Sequence, residues 1–574
     1  MSTAFAEYCN NSAKEFINNV LVIDDGASIG YKTESTTPKI AQRPSASVMA
    51  EVKPVSDETK TTATPPTDSS HSLDASQLTD SFFSYGIIVG LFKPTPANIG
   101  EIIPKTVSIA KKTDAVILDW SIDPKNPNLC KEIIRAIIDD DHMNGGGRLR
   151  TIVIYTAEKD LNGLLKDLIS YLSENKIEDF LTGNAIVFNE LDQYTIKSLN
   201  LRISFYSKAH GGSPDPTRKK TEAQLPDVVV NEFSAHTQGL LPTFALVATT
   251  AIRKNTYHLL TRFTSDLDGP YLAHRGMLQD QEDAEPFMLE NFVSVIRNIL
   301  SLEGVDRQSL GKNSISNFLV DRNSKTLNYS GPINTETITF TPNEISVAFN
   351  GESTLLKFMK SKGITNKQIE TFGEDKLLIE LAKILADNES KSLYQFSVLT
   401  SFRRSHADVG WASPNHIPYL TQGTVIAEIL PNNNYNFFFC VTPKCDSVRI
   451  KQNIAGIVTG AIRSFSFAKL DIATEISEHD LIANVKGVYF HLKTQQKFYK
   501  LCHIDFRSDD LTHRIEAVYN EPNKQFLMKD DSGNEFLWIG DLKDLHSQNR
   551  VSGLVGDLNR IGFDEFEWLR RKQK

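Results

Sequence analysis

At 574 residues the chain exceeds what a single hydrophobic core organises, so roughly two to four domains are expected. A net charge of −9 argues against a broad nucleic-acid-binding surface, and no apolar run approaches the roughly 18–20 residues that cross a bilayer. Five cysteines form no disulfide framework in so long a chain, and the opening MSTAFAEYCNNSAKEF lacks the basic end and apolar stretch of a secretory signal; the expectation is a soluble, cytoplasmic protein with reduced thiols.

The first strong element is Val20-Leu21-Val22-Ile23, an apolar run that ends in Asp24-Asp25-Gly26 and reads as a buried parallel strand. From 27 to 72 the composition turns to Ser, Thr, Pro and Lys without an apolar period, which predicts a disordered insertion. Order resumes with a short helix near 73–78, a strand over 85–91 and a Pro-started helix over about 97–112. Ala115-Val116-Ile117-Leu118 is the next strand and closes on Asp119. A helix over about 128–140, a strand over 151–155 that closes on Thr156, and a helix over about 161–175 follow. Ala185-Ile186-Val187-Phe188 reads as a fifth strand, with a helix near 193–204 after it. Strands alternating with helices predict a doubly wound, five-stranded parallel sheet, flavodoxin-like, over 1–210. A Gly/Pro-rich linker is expected over 211–227, a mainly helical region over 228–390 with Leu240, Phe244, Val247 and Ala251 on one face, and a mixed α/β domain over 391–574.

In an open parallel sheet the functional edge lies at the carboxyl ends of the strands, and Asp24, Asp25, Asp119 and Thr156 all fall there. Three crowded carboxylates raise one another's pKa values unless a cation neutralises them, and hard oxygen ligands suit Mg²⁺. Such a site draws a phosphoryl group onto a carboxylate, with Asp119 as nucleophile and Thr156 as a hydroxyl able to meet the new phosphate.

The strand sequences VLVIDD, AVILDW and TIVIYTA, in that order, resemble the three signature strands of response-regulator receiver domains. The resemblance implies that Asp24 and Asp25 are the acidic pair, Asp119 the phosphoacceptor and Thr156 the switch hydroxyl, with the backbone carbonyl of Ser121 completing the Mg²⁺ site. It implies a partner histidine kinase or phosphotransfer protein, possible passage to an effector response regulator, and no chemistry beyond self-catalysed phosphotransfer. One departure stands out: receivers carry a lysine after the fifth strand, whereas Phe188 is followed by Asn189-Glu190, and Lys197 substitutes only if its helix presents it to the site. Losing that charge-assisted bond weakens a phosphorylated state by about 1.5–3 kcal/mol. Two alternatives therefore stay open, a phosphorylation-independent pseudo-receiver that docks a partner and a receiver that regulates an unrecognised C-terminal enzyme.

Elsewhere, His258 within Thr256-Tyr257-His258-Leu259-Leu260 reads as packed core, and Cys440 and Cys445 lack the further nearby ligands of a zinc site. No Gly-x-Ser-x-Gly elbow, Walker A or Rossmann fingerprint is present. The overall layout resembles large bacterial receiver proteins, some of which occur in anti-phage two-component systems as regulators or phosphate sinks.

Overall fold

The computed structural model describes residues 3–28, 72–95, 97–143, 148–177, 185–198, 200–320, 325–330, 335–350, 360–361, 363, 365, 389–406, 417–473, 480–494, 501–520 and 525–554. The chain divides into two compact units, one made of 1–138, 149–176 and 187–314, the other of 139–148, 177–186 and 315–574. No helix among the described residues is long and apolar enough to cross a membrane.

In the first unit, helix α1 (Ala4–Phe16), absent from the expectation, opens on a Thr3 hydroxyl that accepts from the Ala6 amide and buries Phe5, Cys9 and Ala13 along one face. Strand β1 (Asn19–Ile23) follows. The insertion expected over 27–72 lies outside the described residues except at its ends, where Ala27–Ser28 pairs in parallel with Leu73–Asp74. Asp74 then caps helix α2 (Ala75–Ser84), accepting from the amides of Ser76 and Gln77, and the helix buries Ala75, Leu78 and Phe82. Next come β2 (Ile88–Phe92), α3 (Ile102–Ala110), β3 (Ala115–Leu118), α4 (Leu129–Met143, whose residues 139–143 belong to the second unit), β4 (Arg150–Thr156) and α5 (Leu161–Glu174).

The stretch after α5 departs from expectation. Phe188 closes no parallel strand; instead an antiparallel pair, β5 (Asn189–Asp192) and β6 (Thr195–Ser198), leads directly into β7 (Leu201–Lys208). The helix predicted near 193–204 is thus two strands. The sheet order is β2-β1-β3-β4-β7-β6-β5, with β2, β1, β3, β4 and β7 all parallel, so β7 is the true fifth parallel strand. Alternation along the strands sends Val20, Val22, Ala115, Ile117, Val153, Tyr155 and Tyr206 into one cluster with residues of α1 and α2. Their neighbours Leu21, Val116, Leu118, Ile152 and Ile154 are buried on the opposite face.

The segment expected as a linker, 211–227, is built into this unit. Lys219–Lys220 pairs in parallel with the end of β7, and α6 (Leu225–His236) begins at Leu225, its residues Leu225, Val228, Val229 and Phe233 joining the sheet's core. Helix α7 (Leu240–Lys254) buries Thr243, Leu246, Thr250 and Ala251, so the stripe expected from Leu240 is rotated by about one position. Helices α8 (Thr256–Leu260), α9 (Asp268–Met277), α10 (Ala284–Leu302) and α11 (Val305–Leu310) complete the unit, and His258 is exposed rather than packed.

The second unit, expected as a mixed α/β domain over 391–574, combines helix Glu389–Ser401 with an antiparallel sheet. Its strands are β8 (Phe402–Ser405), β9 (Thr424–Leu430), β10 (Asn434–Cys440), β11 (Ile462–Ile472), β12 (Leu481–Val485), β13 (Val488–Thr494), β14 (Leu501–Arg507), β15 (Val518–Asn520), β16 (Gln525–Lys529) and β17 (Glu535–Leu542). They run in the order β12-β13-β11-β10-β9-β17-β16-β15, with β8 on β17 and β14 on β11. Two separate buried clusters form, one of them rich in aromatic residues that include Phe438, Phe465, Phe467, Phe506 and Trp538. Cys440 is buried and Cys445 exposed, both free thiols.

Candidate functional site

Register brings the site together. Ile23 pairs with Leu118, so Asp24 and Asp119 each stand one residue beyond their strands, and the Asp119 amide donates to the Ile23 carbonyl at 2.9 Å. Thr156 pairs with Ser207, which sets Lys208 one residue further along the neighbouring strand. Asp24, Asp119 and Lys208 share the parity of Val22, Ile117 and Tyr206, and so converge over one face of the sheet's edge. Four parallel strands thereby contribute to one pocket at the point where strand order reverses between β1 and β3.

One carboxylate oxygen each from Asp24, Asp25 and Asp119 lies within 4.8 Å of the others. Asp24 and Asp119 are buried, while Asp25 is half-buried. The Lys208 ammonium, fully buried, sits 2.8 Å from Asp24 Oδ2 and 2.8 Å from Asp119 Oδ2. Gly26 donates its amide to Asp24 Oδ1 at 2.8 Å, and Ser121 donates its own to Asp119 Oδ1 at 3.4 Å. Thr156 is buried and accepts from the Glu158 amide at 3.4 Å, while the Ser121 hydroxyl donates to Glu158 Oε1 at 3.2 Å.

The electrostatics follow from crowding. Burial and the negative charge of Asp119 push Asp24 up to about 6, against the pull of Lys208 and the Gly26 amide. Burial alone would depress Lys208, but the adjacent carboxylates of Asp119 and Asp24 outweigh it and hold the ammonium above the ordinary lysine value. The pocket is therefore short of positive charge even with its lysine, and the hard oxygen donors of Asp24, Asp25 and Asp119 fit a divalent cation such as Mg²⁺.

Residues 16–213 match the model of a family described as the response receiver domain. This segment is a receiver domain. The match closes just beyond Lys208 and so spans every residue of the pocket. Receiver domains accept phosphoryl groups in two-component signalling, interact with histidine kinases or phosphotransfer proteins, and bind Mg²⁺ at an acidic pocket. Neither a curated protein nor a solved structure matches the chain.

Of the residues expected at this receiver's site, Asp24, Asp25, Asp119, Ser121 and Thr156 all gather at one edge. The lysine missing after Phe188 is found at Lys208, the end of β7; Lys197 lies exposed on β6 and has no part in the pocket. Its signal is present in the sequence: Leu201, Ile203 and Phe205 alternate with Arg202, Ser204 and Tyr206, a period of two that belongs to a strand. After Lys208 the chain turns back across the receiver's edge, where the Gly212 amide donates to the Ala157 carbonyl at 3.1 Å. Gly211 is fixed by this approach, since a Cβ there would stand 3.0 Å from the Lys208 carbonyl oxygen and 3.1 Å from the Ala157 Cα.

Proposed function

We propose that this chain is a phosphoacceptor protein of a two-component system, in which Asp119 takes a phosphoryl group from a histidine kinase or phosphotransfer protein. The observation that carries the reading is the Lys208 ammonium held 2.8 Å from both Asp24 and Asp119 inside the acidic pocket. A carboxylate oxygen of Asp119 bonds to phosphorus while the bond from phosphorus to the donor's imidazole nitrogen breaks, and that nitrogen keeps the electron pair. Asp24, Asp25, Asp119 and the Ser121 carbonyl would hold Mg²⁺, which supplies positive charge between the carboxylates and the phosphoryl oxygens. Lys208 would exchange its bond to Asp119 for one to a phosphoryl oxygen, and Thr156 would turn its hydroxyl toward another. In this proposal the chain performs no chemistry beyond the transfer itself.

The alternative of a phosphorylation-independent docking module drew on an absent lysine, and Lys208 removes that ground. The layout resemblance extends the proposal to a cytoplasmic regulator or phosphate sink in bacterial anti-phage defence, with an effector response regulator as a further partner.

Incubation of the full chain with Mg²⁺ and acetyl phosphate, followed by intact-mass measurement, tests the reading. One phosphoryl adduct is expected, lost in Asp119→Asn and on chelation of the metal. An adduct that persists in Asp119→Asn, or none in the native chain, refutes it.

A further inference from the structure

Helix α10 carries two apolar stripes where a helix packed on one side needs only one. Met288, Phe292, Val295 and Ile299 form the first at helical spacing; Ile299 is buried, and the Phe292 ring lies 5.5 Å from that of Phe263. α10 packs against α7 and α11. Leu289, Val293, Ile296 and Leu300 repeat the same spacing one residue later. Leu289 is 63% exposed and Val293 41% exposed, while Ile296 and Leu300 are half-buried. A second stripe of this width is the seam of a two-helix pairing, and large exposed apolar patches mark interaction surfaces.

The charges beside the stripe say what covers it. Glu290 follows Leu289 and Arg297 follows Ile296, so the two lie seven residues apart on the same flank. Both are exposed, and neither has an ion-pair partner among the described residues. Within α10 the positions three and four residues from each hold no opposite charge. When two α10 helices lie antiparallel, Val293 of each copy meets Ile296 of the other, and Leu289 meets Leu300. The same register sets Glu290 of each copy beside Arg297 of the other. A parallel pairing instead brings Glu290 beside Glu285 of the second copy, two like charges.

We propose that the chain forms a twofold dimer through antiparallel α10 helices, with Leu289, Val293, Ile296 and Leu300 as the seam and two Glu290–Arg297 pairs at its rim. The contact is isologous and closes on itself, so it ends at two copies.

Sedimentation equilibrium of the full chain tests this. The native protein is expected to associate reversibly to twice its 64.2 kDa. Glu290→Arg or Arg297→Glu sets like charges against each other at both rim positions and is expected to weaken association about tenfold. The double variant E290R/R297E rebuilds the pairs in reverse and is expected to return within about threefold of the native affinity. A single species of 64.2 kDa up to about 100 µM overturns the proposal. So does a dimer indifferent to the single reversals, or one that the double exchange fails to restore.

Discussion

Asp24 bears the electrostatic cost of the receiver pocket. Its folded value of about 6 lies above the ordinary 3.8, because burial and Asp119 oppose its ionisation more than Lys208 favours it. The folded protein therefore holds this proton where the unfolded chain has released it. The associated stability is complete below pH about 4, declines as the pH rises, and is gone above about 6; a shift of this size corresponds to roughly 3 kcal/mol. Asp24→Asn removes the titration, so its urea-denaturation stability without metal should be nearly level at this locus between pH about 4 and 6, where the native protein loses stability. A cation binds the ionised carboxylates, so Mg²⁺ affinity in the native chain should climb as the pH passes about 6 and be largely lost in Asp24→Asn; isothermal titration across that range measures both. Equal pH slopes for the two proteins would mean that Asp24 ionises freely in the folded state.

Strand β7 links this pocket to the helices behind it. Arg202, Ser204 and Tyr206, alternate residues on one face, all donate to the buried carboxylate of Glu232 on α6, at 2.7, 2.6 and 2.6 Å. Burial would raise Glu232, but Arg202 and the two hydroxyls outweigh it and hold the carboxyl below its ordinary value. Glu232→Ala leaves the Arg202 guanidinium without its carboxylate partner and should cost about 3 kcal/mol by urea denaturation, with Glu232→Gln losing less. A loss under about 1 kcal/mol would show that water or a neighbour replaces the carboxylate. β7 is also where the sequence was hardest to read. The strands ending in Asp24, Asp119 and Thr156 are continuous apolar runs and declare themselves. β7 mixes Arg202 and Ser204 among its apolar residues because one of its faces is partnered by Glu232, so its composition resembles an amphipathic element. Val187, by contrast, is exposed beside Ala185 and Ile186 in a run that forms no parallel strand. Asp24, Asp25, Asp119 and Thr156 are legible because they end or directly follow apolar runs, and Ser121 follows from the receiver resemblance; Lys208 is not, because it closes a polar-faced strand reached through an inserted antiparallel pair.

For the whole molecule, the consequence of two units with separate cores is that a ligand at Asp119 stabilises by linkage only the cooperative unit that binds it. Mg²⁺ with beryllofluoride, which occupies an aspartate as a phosphoryl group does, supplies that ligand without turnover. Saturation near a hundredfold over the dissociation constant adds about 2.7 kcal/mol to unfolding, equivalent to roughly a hundredfold slowing of the slowest amide exchange. The amides of Val116, Ile117 and Val153, buried in the parallel sheet, should slow by that amount. Those of Val425, Phe439 and Leu537, buried in the antiparallel sheet, should exchange at unchanged rates. Hydrogen exchange read by mass spectrometry separates the two sheets in one experiment on the intact chain. Equal slowing in both would mean that the protein unfolds as a single cooperative body, and the phosphoryl signal would then reach the C-terminal sheet through global stability.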